Sequence, residues 1–470
     1  MKIIRTMLGA ASALALAACA VGPDYKAPQS ASSQAAAGPF VSANSPSVSL
    51  DPVAADWWRL YDDPVLDTLV TDALAANTDV RVAVANIAKA RAGLRGARAD
   101  RLPQGQIGAG AQYGRSPEGQ RLPGADREDW GVDVGLNVAY EVDLFGRVSR
   151  SVEAARGDVA AAEADAEAVR VMVVSDTTLA YADAASGAAR LDVARRIVGL
   201  LDQQVKLTER RKEVGMATGL DLARIATLRD QRAADIPAIE AERQAALFRL
   251  ATLTGRAPAQ LPAIAAQRNI SLEITDPIPV GDGTALLKRR PDVRAAERRL
   301  AADTARIGVA TADLYPRVTL GGSVGSTGSG FGDIFGGGPL RWLLGPLINW
   351  AFPNQEPARA RIAAAEAEMQ ASLARFDGTV LNAIEETETA LSSYARSLEQ
   401  RQALRAARDQ SERAARIVRA KRDEGASDSF EWLDAERTFA EAEATLAEQD
   451  ARISQRQITL FRALAGGWSS

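Results

Sequence analysis

The chain predicts a mainly α-helical protein that also contributes strands to a membrane β-barrel. Two proline-free stretches, residues 124–236 and 358–470, are rich in Ala, Glu, Arg and aliphatic residues at helical spacing. Against that background the segment DWGVDVGLNVAYEVDLFG, residues 129–146, alternates strictly. Trp130, Val132, Val134, Leu136, Val138, Tyr140 and Val142 are apolar, and Gly131, Asp133, Gly135, Asn137, Ala139 and Glu141 fall between them. That is the period of a strand with two unlike faces. The chain also repeats itself. ARADRLPQGQIGAG matches ATADLYPRVTLGGS, pairing Pro103 with Pro316, and EVGMATGLDLARIATLRDQ matches DEGASDSFEWLDAERTFAE, pairing Gly215 with Gly425. Each half therefore reads as a short helix, two strands and a long helical hairpin.

Composition narrows the chemistry. The 470 residues carry a formal net charge of −4, too balanced for a nucleic-acid partner. Aromatics are scarce and Ala abundant, which favours long helices packed through small side chains. There is no histidine, so the commonest general base and metal ligand are missing. Cys19 is the one cysteine, which rules out a disulfide or a Cys-based zinc site within the chain. An enzyme using carboxylates alone is the remaining catalytic option, and no paired acids sit in a pocket-like context. No metal and no cofactor are expected.

Residues 1–18 read as a signal peptide: Lys2 and Arg5 form a basic start, and Met7 to Ala18 form an apolar run too short to span a bilayer. The LAAC ending resembles a bacterial lipobox, so Cys19 is expected to carry a covalent lipid. Ala20 at the next position favours the outer membrane by the same resemblance. Acyl chains contribute about 0.8 kcal/mol per buried methylene, so several chains hold firmly. Residues 19–55 are Pro-, Ser- and Ala-rich to about Pro52 and read as an extended, lipidated segment held against the surface. No later run of about 20 apolar residues suggests a transmembrane helix.

The first repeat, 56–258, opens with helical spacing at Leu66, Leu69, Val70, Leu74, Val80, Val84, Ile87 and Leu94, ends it near Pro103, and passes into strands. A helix from about Gly146 to Gly215 would be roughly 100 Å long at 1.5 Å per residue. Residues 259–284 form a Pro-rich connector with little regular structure. The second repeat, 285–470, carries helical apolar residues from Leu373 to Leu398, then Trp432, Phe439, Leu446, Ile453 and Leu460 seven apart. A seven-residue repeat marks helices wound around neighbours. Gly215, Gly219 and Gly425 mark the hairpin tips, where a helix must end and the chain reverse.

Alternation recurs around Ile107–Tyr113, Val318–Val324 and Leu340–Trp350. In hydrocarbon every backbone polar group must be paired, so strands cross a bilayer only as closed barrels. The apolar face then meets lipid, the other lines water, and Trp130, Tyr140, Trp342 and Trp350 suit the aromatic girdles at the interfaces. Four strands enclose nothing, since eight only just fill with side chains. Three copies give 12 strands, with two long hairpins per copy as a helical tube. The residues thus read as a duct from the outer membrane deep into the periplasm.

CAVGPDYKAP, DWWRLYDDPVLDTLV, YEVDLFGRVSRSVEAARG, GLDLARI, LLKRRPDVRAAERRLAAD and DAERTFAEAEATLAEQDARI together resemble TolC-like outer-membrane factors. They are most similar to the lipoprotein branch, the NodT and OprM type, that serves RND multidrug pumps. The resemblance spans the mature chain. It implies a homotrimer with a 12-stranded β-barrel, four strands per chain, over a 12-helix α-barrel with an equatorial domain. It implies a periplasmic membrane-fusion adaptor and an inner-membrane RND pump as partners, outer-membrane lipid as surroundings, and export without chemistry. By position relative to Gly425, the family's periplasmic gate maps onto Phe430, Glu431, Asp434 and Arg437, with Asp221 at the equivalent place in the first repeat. Arg437 or Arg224 would bridge the tips. Glu431 and Asp434 lie three apart, on one helix face, and threefold symmetry would gather their charges around one axis. Relatives often carry a Gly-rich turn after the fourth strand, whereas NWAFPNQEPARAR has Pro353 and Pro357. RRPDVR reads as a helix start rather than a nucleic-acid patch. The alternatives are an exit duct of a type I protein secretion system and, in a different class, a periplasmic coiled-coil scaffold lipoprotein. A scaffold has no use for four alternating strands.

Overall fold

The computed structural model describes residues 20–28, 38–43, 45–115, 117, 127–328, 332, 340–424, 426–427 and 429–465. In chain order the elements are β1 (Val48–Ser49), a 3₁₀ turn (Trp57–Tyr61), α1 (Pro64–Ala76), α2 (Thr78–Ala99), β2 (Gln104–Arg115), β3 (Glu128–Val142), α3 (Arg147–Glu213) and α4 (Gly219–Leu253). Two further 3₁₀ turns follow (Pro258–Gln260 and Ala263–Ala266), then β4 (Ile278–Pro279), α5 (Gly283–Arg289), α6 (Pro291–Ala312), β5 (Arg317–Gly328), β6 (Leu340–Asn349), α7 (Glu356–Asp423) and α8 (Ser429–Ala463). The chain divides into two compact units, neither of which is one of the sequence repeats. One is drawn from Met1–Pro28, Asn86–Glu163 and Ala295–Phe376, the other from Gln29–Ala85, Ala164–Arg294 and Asp377–Ser470.

The first unit holds the four alternating strands as one antiparallel sheet, in the order β2-β3-β5-β6. The register carries the alternation across strands. Tyr113 lies opposite Trp130, Tyr140 opposite Leu320, and Val324 opposite Trp342, so these apolar side chains share one face. On the other face Gln106 opposes Asn137, Gly135 opposes Gly325, and Asp133 opposes Thr327. Glycine dominates this second face: Gly108, Gly110 and Gly114 of β2, Gly131 and Gly135 of β3, Gly321 and Gly325 of β5, and Gly345 of β6. Strand β6 is less regular than the alternation implies, because Leu343 and Leu347, opposite Ser323 and Thr319, put apolar side chains there as well. It also contains Pro346, which withholds one backbone donor and is tolerated on an edge strand.

The segment before the sheet is held by both backbone and side-chain hydrogen bonds. The Val21 amide donates to the Phe145 carbonyl at 3.2 Å, Arg150 donates to Asp24 at 2.5 Å, and the Tyr25 hydroxyl donates to Glu297 at 3.0 Å. Residues 20–28 form neither helix nor strand. Cys19 and the signal peptide lie outside the described residues. After β6, Trp350 stacks on Phe352 at 5.0 Å and its indole N–H donates to the Leu314 carbonyl, which Gln355 also reaches. These contacts order the proline-containing turn that leads to α7.

The second unit has an apolar core in which Trp57 stacks on Phe461 at 4.7 Å, with Leu66, Leu250, Ile278, Leu286 and Leu460 fully buried around it. Asp63 caps α1, accepting from the Val65 and Leu66 amides, and its second oxygen takes the Tyr181 hydroxyl and Arg268. This explains the DWWRLYDDP segment as a packed helix start. RRPDV has an equally structural role. Arg289 and Arg290 donate to the Leu464 and Ala463 carbonyls at the end of α8, while Pro291 opens α6. Basic groups at a helix C-terminus meet both its orphan carbonyls and its dipole. Helix α4 runs through Pro237 where the proline-free stretch ended. Pro237 is exposed, so solvent can meet the one lost helical hydrogen bond.

Candidate functional site

Two regions bear on passage through the molecule, the sheet and the hairpin tips. In the sheet, β2 and β6 are unpaired edges among the described residues. Every residue of β2 is exposed, and on β6 Leu340, Trp342, Leu344 and Ile348 are each about two-thirds exposed or more. An exposed edge is a row of unmatched donors and acceptors. Of the girdle candidates, Trp130 packs beside Tyr113 with ring centroids 5.6 Å apart, Trp342 projects from the same face, and Tyr140 is half-buried on it. Trp350 falls one residue beyond β6 and is anchored to Leu314. On the glycine-rich face, Asp133 accepts from the Thr327 hydroxyl at 2.8 Å and from the Arg341 guanidinium, joining β3, β5 and β6 side chain to side chain.

At the tips, α3 ends in a bond from the Met216 amide to the Arg211 carbonyl at 2.7 Å, with Gly215 at φ +78° between them. This is a six-to-one closure whose left-handed residue only glycine adopts without strain. Thr218 caps α4: its hydroxyl accepts from the Asp221 amide, and the Asp221 carboxylate accepts from the Thr218 amide at 2.9 Å. Those bonds, the backbone one first, hold the Asp221 carboxyl below its ordinary range, helped by Arg224 and Arg422. Gly219 is the first residue of α4 rather than part of the reversal. In the second hairpin the Ala426 amide reaches the Lys421 carbonyl at 2.8 Å, the same closure, while Gly425 lies outside the described residues.

The four helices share a core near these tips. Ile197, Leu201 and Val205 of α3, Ile225 and Leu228 of α4, Val418 of α7 and Trp432 of α8 pack together. On its surface sit the gate candidates. The Arg224 guanidinium lies over the Phe430 ring at 5.9 Å, linking the first hairpin to the second. Glu431 accepts from Ser427 at 2.9 Å and pairs with Lys421 at 3.5 Å. Asp434 takes Arg437 at 2.8 Å, one turn along the same helix. Arg437 therefore does not bridge the tips within one chain, as its spacing from Asp434 is the favourable one for pairing along a helix. Both side chains are about half exposed. Sequence reasoning missed Arg422, which is buried with its guanidinium 3.6 Å from the centre of the Trp432 ring, and Arg419, which clasps the buried Glu436. The only signal was Trp432 at a heptad core position shortly after a hairpin tip.

The model of the family described as outer membrane efflux protein matches residues 69–256 and again residues 284–466. The chain is 30% identical to the outer membrane protein OprJ of Pseudomonas aeruginosa, over 97% of this chain and 94% of OprJ. It is 29% identical to the antibiotic efflux pump outer membrane protein ArpC of Pseudomonas putida, over 98% of this chain and 95% of ArpC. The solved outer-membrane channel OprN superposes with a TM-score of 0.88 at 35% identity, covering 96% of this chain and all of OprN. The fold described above is thus shared with a solved outer-membrane channel. The chain belongs to the outer membrane efflux protein family and is the outer-membrane channel of an efflux system.

Proposed function

We propose that three copies of this chain, each anchored by lipid on Cys19, form one passive duct that releases drugs and other small molecules delivered by a periplasmic adaptor and an inner-membrane RND pump. The observation that carries the reading is the sheet with its two open edges. With four antiparallel strands per copy, β6 of one copy runs antiparallel to β2 of the next, so copies close a barrel without residual edges. The glycine-rich face then turns to water and the face with Trp130, Tyr140 and Trp342 to lipid. At the other functional region, the exposed Phe430, Glu431, Asp434 and Arg437 of three copies, with Arg224 and Asp221 beside them, form the resting gate. Similarity to an antibiotic efflux pump component supports the choice of cargo over secreted proteins.

Purified protein in planar bilayers is expected to conduct in steps whose size matches one pore per trimer. Absence of conductance, together with a monomer in detergent, would overturn the duct. Cys19→Ser is expected to abolish incorporation of labelled fatty acid, and continued labelling of that variant would overturn the lipid site.

A further inference from the structure

Most of the glycine-rich face carries no charge, which makes its one central ion pair conspicuous. Among the described residues, Asp133 and Arg341 are the only charged side chains on that face of the sheet between Asp129 at one end and Glu141 and Arg317 at the other. Glu141 and Arg317 are held by residues outside the strands, Arg147 and Asp313. Asp133 and Arg341 are held by each other across two strand boundaries, with Thr327 donating to the same carboxylate oxygen. Arg341 lies directly opposite Gly325, and Gly325 lies directly opposite Gly135, so nothing stands between the guanidinium and Asp133. A Cβ on Gly325 would come within 2.7 Å of the Val134 carbonyl oxygen and 3.0 Å of the Gly135 Cα. The site is built, since two facing glycines and three strands are arranged so that one basic group meets one acid. Both partners are about half exposed, so the pair stays in contact with water.

We infer that the Asp133–Arg341 pair, positioned by Thr327, sets the charge selectivity of the barrel half of the duct. The inference rests on the reading that this face lines the lumen. The paired state presents a near-neutral wall to both cationic and anionic cargo. Loss of Arg341 would leave an unpaired carboxylate in each copy, a ring of three, and rings of like charge are what select ions in pores. At 0.1 M salt the screening length is about 10 Å, so such a ring acts across a lumen of similar radius.

Reversal potentials in a KCl gradient test this, measured in the wild type and in an E431A/D434A background that removes the tip acids from the signal. Arg341→Gln is expected to raise the K⁺/Cl⁻ permeability ratio at least about twofold, from the direct Coulomb effect of unpaired charge. Asp133→Asn should lower it by a similar factor, and the double variant should return to the starting value. Channels that conduct normally but show unchanged reversal potentials in both single variants overturn the inference and leave the duct intact. A wild type that neither conducts nor leaves the monomeric state in detergent overturns the duct reading itself. Should Arg341→Gln or Asp133→Asn fail to assemble, Thr327→Cys keeps both residues, and anionic and cationic thiol reagents of equal size become the probe. Opposite changes in the permeability ratio support the inference, and no reaction, or equal changes, overturns it.

Discussion

The sheet and the hairpin tips solve the same problem of unpartnered surface in opposite ways. The sheet leaves two edges open and exposes large apolar side chains on β6, so a single chain cannot complete it. The tips are completed within the chain. Ile225 and Trp432 are essentially inaccessible, the Arg422 guanidinium lies on the Trp432 ring, and Arg419 clasps Glu436. The contrast separates assembly from gating. Damage in the sheet should remove the oligomer, whereas the exposed acids at the tips can be changed over an intact core.

The most severe test of that contrast is Gly325→Val. The added side chain cannot avoid the Val134 carbonyl oxygen and Gly135, so β3 and β5 must separate. Loss of the proposed trimer and of all conductance is the expected result. A trimer that survives would mean the sheet tolerates what its geometry forbids. Next in size is Trp432→Ala, which removes a buried aromatic ring from the four-helix core and should destabilise it by about 3–5 kcal/mol. Loss of the stacked guanidinium adds about 2 kcal/mol where the pair is desolvated. Denaturant unfolding followed by helical circular dichroism checks this, and the strand-borne trimer should persist at denaturant concentrations where the tips have melted.

How much of each region could be read in advance follows from the range of the forces involved. Alternation at Trp130–Val142 is a local property, and so is the repeat that aligns Gly215 with Gly425, so the strands and the hairpins were legible, as was the reversal at Gly215. Strand register is not local. Asp133 and Arg341 stand 208 residues apart, and only the pairing of β3 with β5 and of β5 with β6 brings them together. Likewise nothing near Arg289 and Arg290 announces that they cap a helix ending more than 170 residues later. Arg437 was legible as a charged neighbour of Asp434, but its choice between an intrahelical partner and a neighbouring tip depends on geometry that spacing leaves open. Helix α4 continues through Pro237, because an exposed proline forfeits a hydrogen bond that solvent replaces.

A smaller effect on stability, though a visible one on function, is expected from Glu431→Ala with Asp434→Ala. It releases Lys421 and Arg437, whose exposed pairs are each worth about 0–1 kcal/mol, so folding should be almost unchanged. Resting conductance should nonetheless rise, because the variant removes the charged contacts through which three tips are proposed to hold together. Unchanged conductance in the double variant would take both acids out of the gate and leave the tips as purely structural.

The smallest effect sharpens the comparison at a single helix start. Thr218→Ala deletes one half of the reciprocal cap on α4 and should weaken it by about 1 kcal/mol, or roughly fivefold in local opening. Amide exchange at Gly219 to Leu222 reads this directly. The sign of the pH dependence is fixed by Asp221, whose folded-state carboxyl is depressed by the Thr218 bonds. Its contribution is complete above the ordinary value of 3.8 and is lost as pH falls through the depressed value. The gap in exchange rate between wild type and variant should therefore be full at neutral pH and close only in strong acid. A gap that stayed constant into strong acid would show that the cap draws its stability from the hydroxyl alone, with Asp221 free to serve the gate.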